Sequence, residues 1–253
     1  MEERDYIEAV LDLRDRVTSR AQVAYEAATA RQMLDAADRF AESGTVLLET
    51  EILSRTVRDV YADGFNTFSV FTYNWLTSRK AEPDEETRKR MMLILINFFF
   101  ANLQLLVQQM TRTSRIDIFA IVQAGVEQDK TNVQIAQDIR RAAPGLAARR
   151  SMDRASTSTL ESSSLGGNAA AREVKVITKV WWTTLDERTR RGERGFDHAA
   201  AHLQEVPVQN PFIVSGEMMN YPGDSQLGAS VGNRINCRCV PIFNLPNPNG
   251  ADN

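Results

Sequence analysis

The hydrophobic period changes once along this chain, near Arg172, and that change limits what the chain can fold into. Up to that point apolar residues recur at helical spacing. Beyond it, VKVITKVWW (174–182) sets Val174, Val176, Thr178, Val180 and Trp182 against Lys175, Ile177, Lys179 and Trp181, the two-residue period of a strand. A second strand is expected in RINCRCVPIF (234–243), with turns rich in Gly, Pro, Asn and Asp between the two. The expected fold is α+β: a long N-terminal helical region, then a small C-terminal α+β domain with a short sheet. The expected divisions are 1–113 (elongated helices), 114–243 (the compact domain) and 244–253 (a flexible tail, NLPNPNGADN).

The helical part reads as several pieces. Ile7, Val10, Leu11, Val17, Ala21, Ala24 and Ala28 form one stripe over 3–42, which Gly44 stops. A second helix is expected over 45–77; its aromatic run FNTFSVFTYNWL stays helical because helical patterns flank it. Pro83 and Asp84 start a third through MMLILINFFFANLQLLVQQM (91–110), apolar on nearly all sides and so central or in an interface. Its most apolar run, 91–107, is broken by Asn97, Asn102 and Gln104 and falls short of the roughly 18 uncharged residues that mark a spanning helix, so no membrane insertion is expected. Ser114 is expected to cap a short helix that Gly125 ends, and Thr131 another that Pro144 ends. The small, polar stretch 145–171 reads either as linker or, by the spacing of Arg154, Thr157, Thr159 and Glu161, as helix, with a break at Gly166 and Gly167.

A net charge of -3 argues against attachment to nucleic acid by bulk electrostatics. The best local basic patch, Arg149, Arg150 and Arg154, would touch phosphates without sequence preference if it is more than solvated helix surface. Two cysteines two positions apart cannot staple distant segments, and reduced thiols are the default. The acidic start MEERDYIEAV is not a secretory signal.

Chemistry concentrates at the C-terminal end. On a strand Cys237 and Cys239 share a face, and His198 or His202 could complete a metal site. The two histidines are four apart and would share a face if HAAAH is helical. Zinc is the candidate metal; the alternative is buried structural thiols and packed histidines. Asp186, Arg188 and Arg190 form either a phosphate-binding cluster or, as favoured, a turn capped by the aspartate. No phosphate loop, Ser/His/Asp set or paired-carboxylate motif stands out, so an enzyme is not expected.

Five short motifs occur in order: RASTST (154–159), KVWWTTLDERTR (179–190), His198 followed by LQEVP (203–207), YPGD (221–224) and INCRC (235–239). Together they resemble the phage head-morphogenesis family, the minor head proteins similar to the F protein of phage Mu. The matching positions are Arg154, Thr157 and Thr159; Trp182, Asp186, Arg188, Thr189 and Arg190; His198, Gln204 and Pro207; Pro222 and Asp224; and Asn236, Cys237, Arg238 and Cys239. Departures are His202 and Leu203 in place of Asp-Gly, Ser158 in place of glutamate and Ser225 in place of proline.

The resemblance implies a low-copy, non-enzymatic component of a tailed-phage virion, assembled in the host cytoplasm at or near the portal vertex. Implied partners are portal protein, coat or scaffold protein, and packaged double-stranded DNA read without sequence preference. If the family's histidine and cysteines are metal ligands, His198, Cys237 and Cys239 are theirs here. Met91, Leu95, Phe98, Phe99 and Leu105 would then be the partner-docking residues. Rival readings are a metal-dependent hydrolase, nuclease or toxin-like enzyme built on the His/Cys cluster, and an ejected protein entering a membrane through 91–107.

Overall fold

A computed structural model of the chain describes residues 3–78, 83–192 and 195–245. Its elements run α1 (Glu3–Ser43), α2 (Glu51–Thr77), α3 (Glu85–Glu127), α4 (Asn132–Glu173), β1 (Thr178–Trp182), β2 (Gln204–Pro207), β3 (Phe212–Val214), β4 (Glu217–Met219), α5 (Val231–Arg234) and β5 (Val240–Asn244). The class is the expected one, long helices followed by a short antiparallel sheet. Of the expected tail, Asn244 closes β5, and 246–253 lie outside the described residues.

The helix ends follow local chemistry where the signal is a true cap. Gly44 takes φ 68° and its N–H donates to Phe40 O (2.9 Å), closing α1. Asp84 Oδ1 accepts from Thr87 N (2.9 Å) at the start of α3. Thr131 and Gln134 form a capping box at the start of α4: Gln134 N–H donates to Thr131 Oγ1 (3.3 Å) and Thr131 N–H to Gln134 Oε1 (2.8 Å).

One expected helix start is shifted and three expected breaks are absent. The second helix starts at Glu51 rather than Thr45. Ser114 caps nothing: it is buried inside α3, and its hydroxyl is spent on Met110 O (3.5 Å) and on the Arg154 guanidinium (3.3 Å). Pro144 lies within α4, flanked by the fully buried Ala143 and Ala147. Burial on both sides of it offsets the roughly 3 kcal/mol that an interior proline costs.

Gly166 and Gly167 do not break α4 either; every residue from 158 to 171 is buried. Smallness is the reason. A Cβ on Gly166 would sit 2.5 Å from Phe65 O, and one on Gly64 would sit 2.1 Å from Ser162 Oγ, so α2 and α4 meet backbone to backbone. The buried hydroxyl of Ser163 stays satisfied by donating to Leu160 O (2.9 Å). Gly166→Ala is therefore expected to destabilise the fold by about 2–4 kcal/mol in urea titrations. Gly167→Ala, whose Cβ would meet only the Phe243 and Thr72 side chains at 3.4 Å, should cost much less.

Packing divides the chain into two compact units, and the boundary is not at 113/114. Unit 1 comprises 1–17, 61–101 and 157–253, and unit 2 comprises 18–60 and 102–156. The C-terminal sheet is thus no self-contained module, because its core is completed by α1: Tyr6, Val10 and Val17 pack with Phe68 and Val240. Unit 2 is helical, with Met33, Phe40, Ile118, Ile135 and Ile139 in its core.

In unit 1 the sheet order is β2-β1-β5, all antiparallel, with Trp181 opposite Gln204 on one side and Pro241 on the other. Pro241 is tolerated because β5 is an edge strand. The central strand β1 is buried on both faces. Val180 packs on Ile7 and Ile242, while Trp181 faces Leu160, Phe212, Val214, Met219 and the two cysteines. The β3–β4 hairpin turns on Ser215 and Gly216, both with positive φ (53° and 79°), the pattern of a two-residue I′ turn.

The expected docking face of α3 is mostly the packed one. Met91, Leu95 and Phe98 are buried, Phe98 stacking on Tyr61 at 5.3 Å, and Phe99 is half-buried; only Leu105 of the five is exposed. The exposed large apolar side chains of α3 are instead Leu93, Ile96 and Phe100 in unit 1, and Leu105, Ile116, Phe119 and Val126 in unit 2. Phe100 is 87% exposed. Among the described residues α3 is the one helix long and apolar enough to cross a membrane, and a third of its most apolar window is buried.

Candidate metal centre

His198, Cys237 and Cys239 come together in unit 1. Their donor atoms lie within 4.8 Å of one another, and all three residues are buried. The cysteines are not on a strand as expected. Asn236 takes φ 53°, which ends any extended run from 234, and β5 starts only at Val240. Both thiols nevertheless turn to the same side: His198 Nδ1 is 3.4 Å from Cys237 Sγ and 3.5 Å from Cys239 Sγ.

The surrounding backbone fixes this arrangement. The N–H groups of His198 and Ala199 both donate to Arg190 O (3.0 and 3.1 Å), and Thr183 Oγ1 donates to His198 O (2.9 Å). Cys239 N–H donates to Cys237 Sγ (3.4 Å), and the buried Arg14 donates to Cys239 O (2.7 Å). Arg190 holds Ile235 O, and Arg238 pairs with Asp186.

The imidazole tautomer follows from its far side. His198 Nε2 is 2.8 Å from Asn233 Oδ1. The Asn233 amide is oriented by its own N–H donors, which go to Val214 O (2.9 Å) and Glu217 Oε2 (2.9 Å), so Oδ1 can only accept. Nε2 therefore carries the proton. The 3.4 Å approach of Arg190 to the same nitrogen, donor against donor, is a contact and not a hydrogen bond. In the neutral ring Nδ1 then presents its lone pair to two sulfurs, as a second-shell relay leaves a metal-binding histidine.

Without a metal the electrostatics favour an ion pair between the same groups. Burial opposes ionisation of Cys237, but hydrogen bonds from Cys239 and His198 outweigh it and hold its thiol well below the usual range. Burial raises the Cys239 thiol, and Cys237 adds to the rise, while Thr183 and Trp181 pull the other way. Burial lowers the His198 imidazole, but the Cys237 thiolate beside it more than compensates, and the net shift is upward. Trp181 Nε1 is a buried donor with no partner of ordinary geometry, and the Cys239 sulfur is the acceptor it influences. An orphaned donor beside a sulfur fits a thiolate held by a metal. Two thiolates and one imidazole are a donor set that suits zinc. A nucleophile–base pair would use one thiol; here two stand almost equally close to Nδ1, as they would in a ligand set.

The other expected site residues fall elsewhere. His202 is not a ligand, because HAAAH forms turns and not a helix; its Nδ1 accepts from Thr183 N (3.1 Å) and its ring lies against Trp182. Trp182 packs toward Val240 and Tyr6, while Trp181 is the tryptophan of the site. Asp186 caps its own turn, accepting from Arg188 N (3.0 Å) and Thr189 Oγ1 (3.3 Å). Pro222 belongs to a turn that the buried Asp224 organises by accepting from Asn220 N (2.8 Å) and Gln226 N (2.9 Å). Thr157 and Thr159 lie on α4, Thr159 buried.

The basic patch does not form. Arg149 and Arg150 pair with Asp117 (3.5 and 2.9 Å). Arg154 is buried in unit 2, bonded to Thr29, Met110 O (2.7 Å), Thr113 (2.8 Å) and Ser114, and burial lowers its pKa to about 10. Arg154→Ala is expected to cost about 2–4 kcal/mol in thermal unfolding, the price of orphaning a buried carbonyl and hydroxyls.

Sequence reading missed Arg14, Asn233, Glu217 and Thr183. Only Arg14 left a signal, since it stands between Val10 and Val17 on the buried stripe of α1. No family model, no curated protein and no solved structure matches the chain.

Proposed function

We propose that this chain is a minor head protein of a tailed bacteriophage, placed at or near the portal vertex, with a zinc ion closing its C-terminal region. One observation carries the reading. Segments of the resemblance that are far apart in sequence converge on one site: Asp186, Arg188 and Arg190, then His198, then Asn236 to Cys239 all line the same pocket. The YPGD turn is outside that pocket and is tied to α4 and α2, where Glu161 accepts from Ser225 N (2.7 Å) and Tyr61 OH (2.6 Å).

His198, Cys237 and Cys239 would hold the metal. Zinc supplies a bond between the turn that follows β1 and the loop that leads into β5, a structural use that adds its binding free energy to folding. Asn233 keeps the ligand nitrogen bare, and Arg14 holds the Cys239 carbonyl. Contacts with portal, coat or scaffold protein fall to the exposed face of α3, and with Arg149, Arg150 and Arg154 all engaged, DNA contact has weaker support.

A nucleophilic reading shares three of these residues, since Cys237, His198 and Asn233 stand in line as a thiol, base and orienting amide do. Metal analysis of purified full chain separates the two. About one zinc per chain supports the staple, whereas a metal-free protein with a rapidly alkylated Cys237 supports the nucleophile. Gold-labelled or cryo-EM localisation in the particle tests the assignment to the head, and density remote from the portal vertex would count against it.

A further inference from the structure

Three donors leave a tetrahedral metal one ligand short. Among the described residues no fourth His, Cys, Asp or Glu joins the cluster. The pocket that opens onto all three donors has room for about one water-sized ligand. Its wall is cationic: Arg188, Arg190 and Arg238 stand against the single carboxylate of Asp186, while the Thr183 and Thr189 hydroxyls already donate to His198 O and Asp186. A divalent metal with two thiolates and a neutral imidazole carries no net charge, so three guanidiniums against one carboxylate set the sign of the pocket. Arg190 and Arg238 are held by Ile235 O and Asp186; the Arg188 guanidinium has no partner among the described residues.

Resting on the metal reading above, we propose that this pocket admits a small exogenous anion as the fourth ligand, drawn in by the cationic wall and oriented by Arg188. The centre is then an anion-binding site as well as a staple. The pocket's size limits the ligand to one of a few atoms, or to a single oxygen of a larger oxyanion. Asp186 does not compete for the position, because its carboxylate is occupied by its own turn and by Arg238.

Cobalt(II) substituted into the full-length chain reports both claims separately. Thiolate-to-cobalt charge transfer in the near ultraviolet reports binding to the cysteines, and the visible ligand-field bands report the fourth ligand. Titration with azide is expected to shift those bands saturably, and inorganic phosphate to compete. Arg188→Gln should weaken azide roughly fivefold to tenfold while leaving the charge-transfer band and metal content unchanged. Bands that form normally but ignore azide would show a closed site and overturn the anion claim alone. Absence of the charge-transfer band would remove the metal reading, and this inference with it. An azide affinity unchanged in Arg188→Gln would overturn the role given to Arg188.

Discussion

On the proposed metal reading, the unaltered chain is expected to leave purification with zinc and a Cys239→Ser chain without it, and the variant to unfold at a lower temperature. The substitution removes one of three donors from a site with no fourth protein ligand among the described residues. At free zinc a hundredfold above the dissociation constant, the metal adds about 2.7 kcal/mol to folding. For a chain of this size that corresponds to roughly 5–10 °C in melting temperature. A chelator should lower the unaltered chain's melting temperature by a similar amount and the variant's hardly at all. His202→Gln is the control and should keep its zinc, because His202 lies outside the cluster. Retention of zinc in Cys239→Ser, or its loss in His202→Gln, would show that the donors are misassigned.

The same site sets a proton count. Without metal, the thiolate of Cys237 and the imidazolium of His198 are favoured, one pKa held well down and the other raised, while Cys239 keeps its proton. Zinc takes both thiolates and a neutral imidazole, so its uptake displaces whatever protons His198 and Cys239 hold, and the number released falls as pH climbs through the raised His198 value. The raised His198 contributes stability to the metal-free fold that is full below the imidazole's unfolded value and fades as pH climbs through its raised folded value. The depressed Cys237 contributes stability that is present above its unfolded value and is lost as pH falls through its lowered folded one. Calorimetry in buffers of different ionisation enthalpy reads the proton count directly.

What sequence could show of this fold follows from the range of the interactions. The period change near Arg172 marked β1, although the strand starts at Thr178 and not Val174 because Lys175 takes φ 57°, and the Thr131 capping box and Asp84 cap lie within four residues, so both were legible. Gly166 was misread because its reason is not local: only the approach of Phe65 O, a hundred residues away, explains why a glycine there packs a helix and does not end it. Pro144 and Ser114 fail for the same cause, tertiary burial overriding local preference. The division at 113/114 failed because apolar periodicity shows that a face is buried, not what buries it. Hence Met91, Leu95 and Phe98 could be read as a docking face when α2 supplies part of their cover through Tyr61. At the site, His198, Cys237 and Cys239 were visible as residue types, but the choice of His198 over His202 depends on turns with no periodic signature. Asn233 and Glu217 left no trace in the sequence, since an orienting amide looks like any other asparagine.

Replacing Arg14 by leucine is expected to weaken both the fold and the metal site, through two separable effects. The buried guanidinium donates to Ser163 Oγ (2.9 Å), Ser164 Oγ (3.1 Å) and Cys239 O (2.7 Å). Ser163 retains a second bond within its own helix, to Leu160 O, so the groups left orphaned are the Cys239 carbonyl and the buried Ser164 hydroxyl. Uncompensated buried acceptors and the lost packing cost about 3 kcal/mol in urea unfolding. The second effect is electrostatic. Burial lowers the Arg14 pKa to about 10, against the pull of the Cys237 and Cys239 sulfurs, and the attraction is mutual, so Arg14 favours both thiolates. Without the positive charge the thiols hold their protons to higher pH, and the midpoint of zinc uptake moves in the alkaline direction. Arg14→Lys separates the two effects: a lysine keeps the charge but cannot make three bonds at once, so it should restore most of the pH midpoint and little of the stability. A midpoint that stays put in Arg14→Leu would mean that the helix at the N-terminus supports the site by packing alone.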